Sequence, residues 1–426
     1  MNLHLRGGRV IDPASGGDRR QDVFVSGGCI AALGQAPAGF RADRIIDAAG
    51  LVVCPGLVDL SVRVREPGEE HRATLESELA AAVAGGVTAL CCPPDTDPPL
   101  DEPGLVEMLK HRARSLQLAR LFPVGAATRG LRGERLTEMA ELTDAGCVAF
   151  SQADFALADH QVLLRTLQYA GTFGYSLWLR PQDAALGRGG VAHDGQVATR
   201  LGLAPVPVAA ETVALATILR LTEGTGARVH LCRLSSAEAV EMVRQAKAKG
   251  LDVTADVSAN HLHLSEMDIG YFDSNCNVVP PLRDARDREA LRRGLADGTI
   301  DVLCSDHTPV DDDAKQLPFG EAAPGASGVE LLLPLTLKWA EQAKVPLPSA
   351  LARVTQQPAR LLGLDSGRIE VGAPADLCLF DPQARWTVGH DTLHSQGKNT
   401  PFYGLEMTGR ALFTVVAGSI VHELRS

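Results

Sequence analysis

Residues 55–68 read PGLVDLSVRVREPG, an apolar run followed by a polar turn. The run GLVDL predicts a buried β-strand. Side chains two positions apart on a strand share a face, so two histidines at positions 61 and 63 would form a pair of metal ligands. The chain has Ser61 and Arg63 there. Serine is a poor zinc ligand and arginine stays protonated, so the stretch has the framework of a metal pair without its ligands.

Outward from this stretch, apolar strand-like runs alternate with helical patterns such as ESELAAAVAGG, AVEMVRQAKAKG and DREALRRGLADG. Eight strands alternating with helices favour a (β/α)₈ barrel over a β-sandwich. We therefore predict an α/β fold with a distorted TIM-like barrel over 55–365, in which the loops after the strands build the site. The eight runs are GLVDLSV, ALCCP, ARLFPVG, CVAFS, YSLWLRP, RVHLCRLS, LDVTADVS and DVLCSDH.

The two ends of the chain have a different sequence pattern, in which short β-strand patterns alternate with turn residues. Gly-Gly pairs at 7–8 and 27–28 are typical of hairpin turns. Similar β patterns return near the C-terminus, in SGRIEVGAPADLCLFD and ALFTVVAGSIVHEL. We predict one small β-domain assembled from residues 1–54 and 366–426 together.

Composition excludes several classes of partner and compartment. The formal net charge of −11 argues against a nucleic-acid partner. The longest apolar runs are too short for a membrane span, and the N-terminus lacks the apolar core of a secretory signal. Nine scattered cysteines, mostly inside apolar runs, are best explained as buried free thiols. We expect a soluble cytoplasmic protein.

Seven motifs carry a resemblance to a known family, in order and over essentially the whole chain. Together they resemble dihydroorotase, a zinc amidohydrolase of pyrimidine synthesis, and the resemblance implies an amidohydrolase-type barrel. The motifs are PGLVDL, REPG (65–68), AAVAGGVT (81–88), NVVPPLRDARDREAL (277–291), SDHTP (305–309), PGASGVELLLPL (324–335) and GKNTPFYG (397–404).

The resemblance assigns six metal-ligand positions, and five of them no longer hold a ligand. The bridging acidic position falls in CVAFSQAD, where Ser151, Gln152 and Ala153 occupy the turn; a one-residue slip would bring Asp154 closer. The final aspartate alone survives. The six positions are Ser61, Arg63, Ala153, Arg180, Arg233 and Asp306.

One carboxylate cannot hold a catalytic zinc, which normally needs three or more protein ligands. Three permanently cationic arginines would also repel a divalent ion. Without a metal no hydroxide is activated for attack on a cyclic amide. We therefore expect no cofactor. We also expect Asp306 to be ion-paired with Arg63, Arg180 or Arg233, so that its loss lowers stability.

The substrate-binding positions implied by the resemblance are also altered. Arg65 matches the arginine that binds the substrate carboxylate, although a salt bridge with Glu66 or another neighbouring acid is an alternative. Asp95 replaces an asparagine and would repel an anionic substrate. Val310 replaces a histidine.

Three further histidines are candidate ligands. His261 and His263, in SANHLHLS, have the spacing of a replacement metal pair on a strand, but the family has its own PHHL element there, which favours packing or hydrogen-bonding roles. His307 points away from its neighbour Asp306 in an extended segment, and we interpret it as structural.

The leading hypothesis is a non-catalytic dihydroorotase-like subunit. The resemblance implies that such a chain associates with aspartate carbamoyltransferase and supports its assembly and activity in de novo pyrimidine biosynthesis, with homo-oligomer contacts as well. One alternative is a cyclic amidohydrolase with an unusual metal set, for example Asp306, His261, His263 and Cys232. Another is a sensor of anionic pyrimidine intermediates, because three arginines suit carboxylate recognition.

Overall fold

The computed structural model describes residues 1–424. Its strands are β1 Leu3–Asp12, β2 Gly17–Ser26, β3 Cys29–Leu33, β4 Arg44–Asp47, β5 Val52–Pro55, β6 Leu57–Asp59, β7 Val87–Cys92, β8 Arg120–Ala126, β9 Ala149–Ser151, β10 Ser176–Leu179, β11 Ala192–His193, β12 Pro205–Val206, β13 Arg228–Leu231, β14 Val253–Ser258, β15 Val302–Cys304, β16 Leu377–Thr387, β17 Glu406–Val416 and β18 Ser419–Glu423.

The α-helices lie mainly between the barrel strands. They are α1 Leu75–Ala84, α2 Pro103–Leu116, α3 Met139–Ala145, α4 His160–Phe173, α5 Gln196–Leu201, α6 Ala209–Thr225, α7 Ala237–Ala248, α8 Ala259–His263, α9 Ala285–Asp297, α10 Asp312–Lys315, α11 Leu332–Ala343, α12 Leu347–Ala352 and α13 Gln356–Leu361. Within the described part of the chain, none of them is long and apolar enough to cross a lipid bilayer.

One sheet combines strands from the two ends of the chain. Its order is β18-β17-β16-β5-β1-β2-β3, and β4 pairs with β1. The junction is the antiparallel pair of β5 with β16, in which Val53 is opposite Leu379. Both side chains are fully buried in this sheet's own core. The domain boundaries themselves stay a prediction, and Arg425 and Ser426 at the end of the predicted β-domain lie outside the described residues.

The eight predicted barrel strands form the second sheet, which is confirmed as parallel in the order β15-β14-β13-β10-β9-β8-β7-β6. Parallel strands need crossover connections, and helices supply most of them here, as in α/β barrels. The carboxyl ends of all eight strands meet at one mouth, so the loops that follow them share a face of the molecule.

The barrel closes through a short contact just beyond its first and last strands. Val62 and His307 form an isolated parallel bridge. The His307 amide donates to the Ser61 carbonyl at 3.0 Å, and the Arg63 amide donates to the His307 carbonyl at 2.9 Å. Two hydrogen bonds therefore join the segments after β6 and β15, the two strands that are not hydrogen-bonded to each other in the barrel sheet.

The side chain of His307 connects this closure to neighbouring segments of the chain. Its Nε2 binds the Glu78 carboxylate of α1, and its Nδ1 accepts from the Gly328 amide at 3.0 Å. Glu78 also accepts from the Ser395 hydroxyl and the Gln396 amide. Both His307 and Glu78 are fully buried, so the contact links the barrel seam to α1 and to the segment before β17. This arrangement agrees with a structural role for His307.

We predict that His307→Ala lowers the free energy of unfolding by about 3 kcal/mol, because the buried Glu78 carboxylate loses one of its hydrogen bonds, the buried Gly328 amide loses its acceptor, and a cavity replaces the imidazole. The measurement is urea denaturation followed by circular dichroism. The control is His390→Ala, whose side chain is 71% exposed and should change stability by less than about 0.5 kcal/mol. Equal stability of the two variants would contradict the role of His307 in closure.

Candidate site at the barrel mouth

The six positions assigned by resemblance come together at the carboxyl ends of the barrel strands. Ser61 and Arg63 follow β6, and Ala153 follows β9. Arg180 follows β10, Arg233 follows β13 and Asp306 follows β15. The arginines and Asp306 are buried, with side chains only 4–6% exposed. These side chains therefore fill the place where the site of such a barrel is built.

The three guanidiniums converge on Asp154. Arg63 Nη2 donates to Asp154 Oδ2 at 2.7 Å, and Arg233 Nη2 donates to Oδ1 at 2.5 Å. Arg180 Nε lies 2.7 Å from Oδ1, and its Nη2 donates to the Asp154 main-chain carbonyl at 2.8 Å. One carboxylate thus contacts all three cations. We call Asp154 and its three arginines, with the two further carboxylates described next, the guanidinium cluster.

Asp95 and Asp306 complete this cluster. Arg63 Nε donates to Asp95 Oδ2 at 2.8 Å, and Arg233 Nη1 donates to Asp306 Oδ1 at 3.0 Å. The expected ion pair of Asp306 with an arginine is present. Asp306 is not the only carboxylate that faces the three cations, because Asp95 and Asp154 also contact them, and three carboxylates match three guanidiniums. Asp95, expected to repel an anionic substrate, is an internal partner of Arg63.

The pKa shifts identify Asp154 as the main anchor. Burial opposes ionisation of Asp154, but the charges of Arg233, Arg63 and Arg180 outweigh burial and hold its pKa well below the usual range. For Asp306 burial is stronger than the attraction of Arg233 and Arg63, and its pKa is raised. Arginine remains charged in proteins. Asp154, which the sequence suggested only through a one-residue slip in register, is therefore the carboxylate most stabilised by the arginines.

The backbone around the cluster has unusual conformations. Arg65, Ala153, Arg233 and Asp306 have φ of 59°, 50°, 54° and 53°. Left-handed conformations cost energy in residues other than glycine, and they concentrate at functional sites. The main chain at these four positions is therefore strained, and three of them, Ala153, Arg233 and Asp306, are metal-ligand positions assigned by the resemblance.

The donor set does not fit the zinc that the family implies. Arg63, Arg180 and Arg233 offer no lone pairs, and a divalent cation beside them would meet Coulomb repulsion. Asp154 and Asp306 are engaged by those same arginines. We therefore derive no chemical step through a metal at these positions.

Little space for a substrate remains in the centre. A cavity of about 30 Å³ lies among Ser61, Arg63, Ser151, Cys232 and Arg233. Small-molecule pockets are typically about 300–1,000 Å³. The barrel centre is therefore packed with side chains rather than empty.

The alternative metal set of Asp306, His261, His263 and Cys232 is not brought together in the described part of the chain. His261 and His263 were expected on a strand, but they lie in the short helix α8. Residues two apart on a helix point about 200° apart. Their Nε2 atoms bind the carbonyls of Pro281 and Leu335 at 3.3 and 2.9 Å. Burial lowers their pKa values to about 4 and about 3, which agrees with neutral hydrogen-bonding roles.

A different grouping, of His230, Cys232 and Asp256, does bring three ligand-type atoms within 4.8 Å of one another. Both imidazole nitrogens are engaged: Nε2 with Asp256 Oδ2 at 2.9 Å, and Nδ1 with the Thr254 hydroxyl at 2.8 Å. Asp256 Oδ1 accepts from the Arg233 amide. This grouping was not among the sequence-based predictions, although alternation along VHLCR and TAD places its members on one inner face of β13 and β14.

The remaining substrate positions are also held by internal contacts. Arg65 Nη1 donates to Glu69 at 2.7 Å and its Nε donates to the Pro309 carbonyl at 2.8 Å, so its partner is a neighbouring acid other than Glu66. Val310 is buried, and its amide donates to Asn399 Oδ1 at 3.0 Å. Arg65 is thus engaged within the protein.

We predict that Asp154→Asn lowers the free energy of unfolding by about 3 kcal/mol, because three buried guanidiniums lose their shared counter-charge. Asp306→Asn is the matched control and should cost less than about 1 kcal/mol, since removing its charge also removes a desolvation cost. Urea denaturation of both variants measures the difference. Equal losses would contradict the central place of Asp154.

The parent protein and Asp154→Asn should also differ in how their stability depends on pH. The folded-state pKa of Asp154 lies below its unfolded value of 3.8, so its contribution to stability is present above that pH and is lost as pH falls. The stability gap between the parent and Asp154→Asn should therefore narrow below about pH 4. A gap that widens on acidification would contradict the assignment.

Two family models match the chain. The model described as Dihydro-orotase-like matches residues 50–239, and the amidohydrolase family model matches residues 204–421. Among solved structures, an L-hydantoinase from Arthrobacter aurescens superposes with a TM-score of 0.88 at 26% identity, covering 99% of this chain and 96% of that one.

Curated relatives match over their full length. A protein from Pseudomonas aeruginosa named "Dihydroorotase-like protein" is 47% identical over 99% of this chain and 100% of its own. A protein from Geobacter sp. (strain M21) named "Dihydroorotase" is 40% identical with the same coverage. With such identity over its whole length, the chain belongs to the dihydroorotase-like proteins of the amidohydrolase family.

Proposed function

We propose that this chain is a non-catalytic dihydroorotase-like subunit that binds aspartate carbamoyltransferase catalytic chains and supports their assembly and activity in de novo pyrimidine biosynthesis. The observation that carries the proposal is the guanidinium cluster. It occupies the positions where the family resemblance expects metal ligands, with three arginines and three carboxylates engaged with one another.

Loss of catalysis follows from what hydrolysis of a cyclic amide requires. Water must be activated at neutral pH, and a metal or a general base with free lone pairs does this. In the cluster, Asp154 is the carboxylate with the lowered pKa, and three guanidiniums surround it. Such a carboxylate is a weak base. The cavity of about 30 Å³ among the side chains of the cluster is too small for a substrate ring. A larger cavity of about 370 Å³ lies beside Gln152 and Arg180, next to α4 and α6.

Retention of the fold supports a role that depends on shape. The core is closely packed, and the positive-φ backbone at Ala153 and Arg233 is present although neither side chain can bind a metal. A chain whose task is to bind and hold a partner needs this framework but not the chemistry. The name of the Pseudomonas aeruginosa relative agrees with this reading, whereas the relative from Geobacter is named as an enzyme.

The alternative of a metal-dependent amidohydrolase has two groupings close enough to share an ion in the described residues. One is His193, Asp284 and Asp287, and the other, inside the barrel, is His230, Cys232 and Asp256. Their hydrogen bonds to one another and to Thr254 favour a structural network instead. An anion sensor is disfavoured because a ligand carboxylate would have to displace Asp154 from its three arginines.

We predict that the chain purified without added zinc carries less than about 0.1 zinc per chain, because the donors do not fit the ion. It should also show no dihydroorotate hydrolysis above background. Elemental analysis by mass spectrometry and a coupled hydrolysis assay measure both quantities. The control is the Geobacter relative named as a dihydroorotase, purified in the same way.

A Ser61→His/Arg63→His variant extends this test. It should remain inactive, since Arg180, Arg233 and Ala153 still leave the ligand set incomplete. Stoichiometric zinc together with hydrolysis in the parent chain would contradict the non-catalytic proposal.

We further predict that the chain and the aspartate carbamoyltransferase catalytic chain from the same organism elute as one complex in size-exclusion chromatography with light scattering. Carbamoyl-aspartate formation should rise when the chain is added to the transferase. Bovine serum albumin at equal concentration controls for crowding. Separate elution with unchanged transferase activity would contradict the proposed role.

A further inference from the structure

A cavity of about 370 Å³ lies beside the guanidinium cluster, next to α4 and α6. The loop from β9 to α4, the loop after β10 and one side of α6 line it. Pockets for small molecules typically have volumes of about 300–1,000 Å³. We name this space the Gln152 cavity, and it has room for a small organic molecule.

Gln152 brings an unpaired hydrogen-bond donor to this cavity. The residue is 2% exposed, and its Oε1 accepts from the Thr128 hydroxyl at 3.0 Å. Its Nε2 is buried without a hydrogen-bond partner among the residues that the structure describes. Buried donors are usually paired in folded proteins, because an unpaired donor loses its bonds to water without replacement. A carbonyl oxygen of a bound molecule is the kind of acceptor that this amide lacks.

The walls of the Gln152 cavity are largely apolar. Leu163 of α4, Leu179 of β10 and Ile218 of α6 line it and are buried. Phe155 also lines it, and this aromatic residue is 54% exposed. Apolar walls bind the apolar part of a ligand, and an aromatic side chain packs well against a flat ring. These residues therefore favour an aromatic ligand.

Arg188 and His160 add exposed polar groups to the lining. Arg188 is permanently cationic. Asp183 supplies a carboxylate, whose Oδ1 accepts from the Ala185 and Leu186 amides at 2.9 and 2.8 Å within its own loop. A guanidinium binds a carboxylate of a ligand through charge-assisted hydrogen bonds. Arg188 thus favours an anionic ligand.

From the unpaired amide, the apolar walls and the cationic Arg188 we infer that the Gln152 cavity binds a small aromatic carboxylate that also bears a carbonyl oxygen. The ring packs against the apolar walls, the carbonyl oxygen accepts from Gln152 Nε2, and the carboxylate pairs with Arg188. Arg180 also lines the cavity, but its Nε lies 2.7 Å from Asp154 Oδ1. A ligand here therefore leaves the ion pairs of Asp154 in place. The site goes beyond the proposed partner-binding role and does not depend on it.

Isothermal titration calorimetry of the full-length chain with terephthalamate tests this site. Terephthalamate is a benzene ring that carries a carboxylate and, opposite it, a carboxamide. Benzoate lacks the carboxamide, and benzamide lacks the carboxylate. We expect one terephthalamate to bind per chain, and benzoate and benzamide to bind at least about tenfold more weakly, because each loses one polar contact.

Two variants on α6 locate the binding. Ala214→Phe places a ring in the cavity and should weaken terephthalamate binding at least about tenfold. Val213→Phe is the matched control, because this neighbouring residue is 47% exposed and lies outside the lining. It should bind terephthalamate like the parent.

Two further variants test the polar contacts. Gln152→Met removes the amide donor and should weaken terephthalamate binding about tenfold while leaving benzoate binding unchanged. Arg188→Gln changes an exposed residue and should weaken binding of terephthalamate and benzoate but not of benzamide. Thermal melting followed by circular dichroism checks that each variant is folded.

The inference is overturned if the parent does not bind terephthalamate at millimolar concentration, and the proposed function then still stands. It is also overturned if folded Ala214→Phe and Arg188→Gln bind terephthalamate like the parent, since binding is then elsewhere. Equal affinity of the parent for benzoate and terephthalamate would contradict the contact with Gln152 and with it the ligand class. Failure of the partner-binding test leaves this site unaffected.

Discussion

The structure of the barrel mouth depends on the ion pairs between Asp154 and three guanidiniums. Arg63, Arg180 and Arg233 each follow a different strand, and Asp154 follows a fourth. Asp95 and Asp306 add the ends of two more strands. Six of the eight strand ends are thus joined through a single charged centre. A metal ion with ligands from several strands would hold the barrel mouth in a similar way.

Arginine is well suited to this position. Its guanidinium is planar, always charged and less strongly hydrated than an ammonium group, so it is the cation that buries most readily beside carboxylates. It also donates in several directions at once, which lets Arg63 bind both Asp95 and Asp154. A buried pair is stabilising only when charges and hydrogen bonds are matched. The equal number of guanidiniums and carboxylates matches the charges of the cluster, while Asp95 Oδ1 is buried without a hydrogen-bond partner in the described part of the chain.

The fold was predictable from the sequence because apolar runs and turn residues are local signals. All eight barrel strands were predicted from runs such as GLVDLSV and DVLCSDH. The resemblance to dihydroorotase then assigned Ser61, Arg63, Arg180, Arg233 and Asp306 as site positions, each at or just beyond the end of one of those runs. Asp154 was harder, because a left-handed residue at Ala153 redirects the chain and decides which side chain enters the mouth. Asp95 comes from a loop after another strand, and its contact with Arg63 has no local signature. The segment SANHLHLS fits a strand and a short helix equally well, so packing against Pro281 and Leu335 decided the conformation of His261 and His263.

The central claim is that arginine–carboxylate pairs occupy the place of the metal. X-ray diffraction from crystals grown with zinc, recorded just above the zinc absorption edge, tests this claim most directly. The account predicts no anomalous peak within bonding distance of Asp154, with Arg63, Arg180 and Arg233 in direct contact with its carboxyl group. A zinc peak bound by Asp154 and Asp306, with the three guanidiniums turned away into solvent, would contradict it.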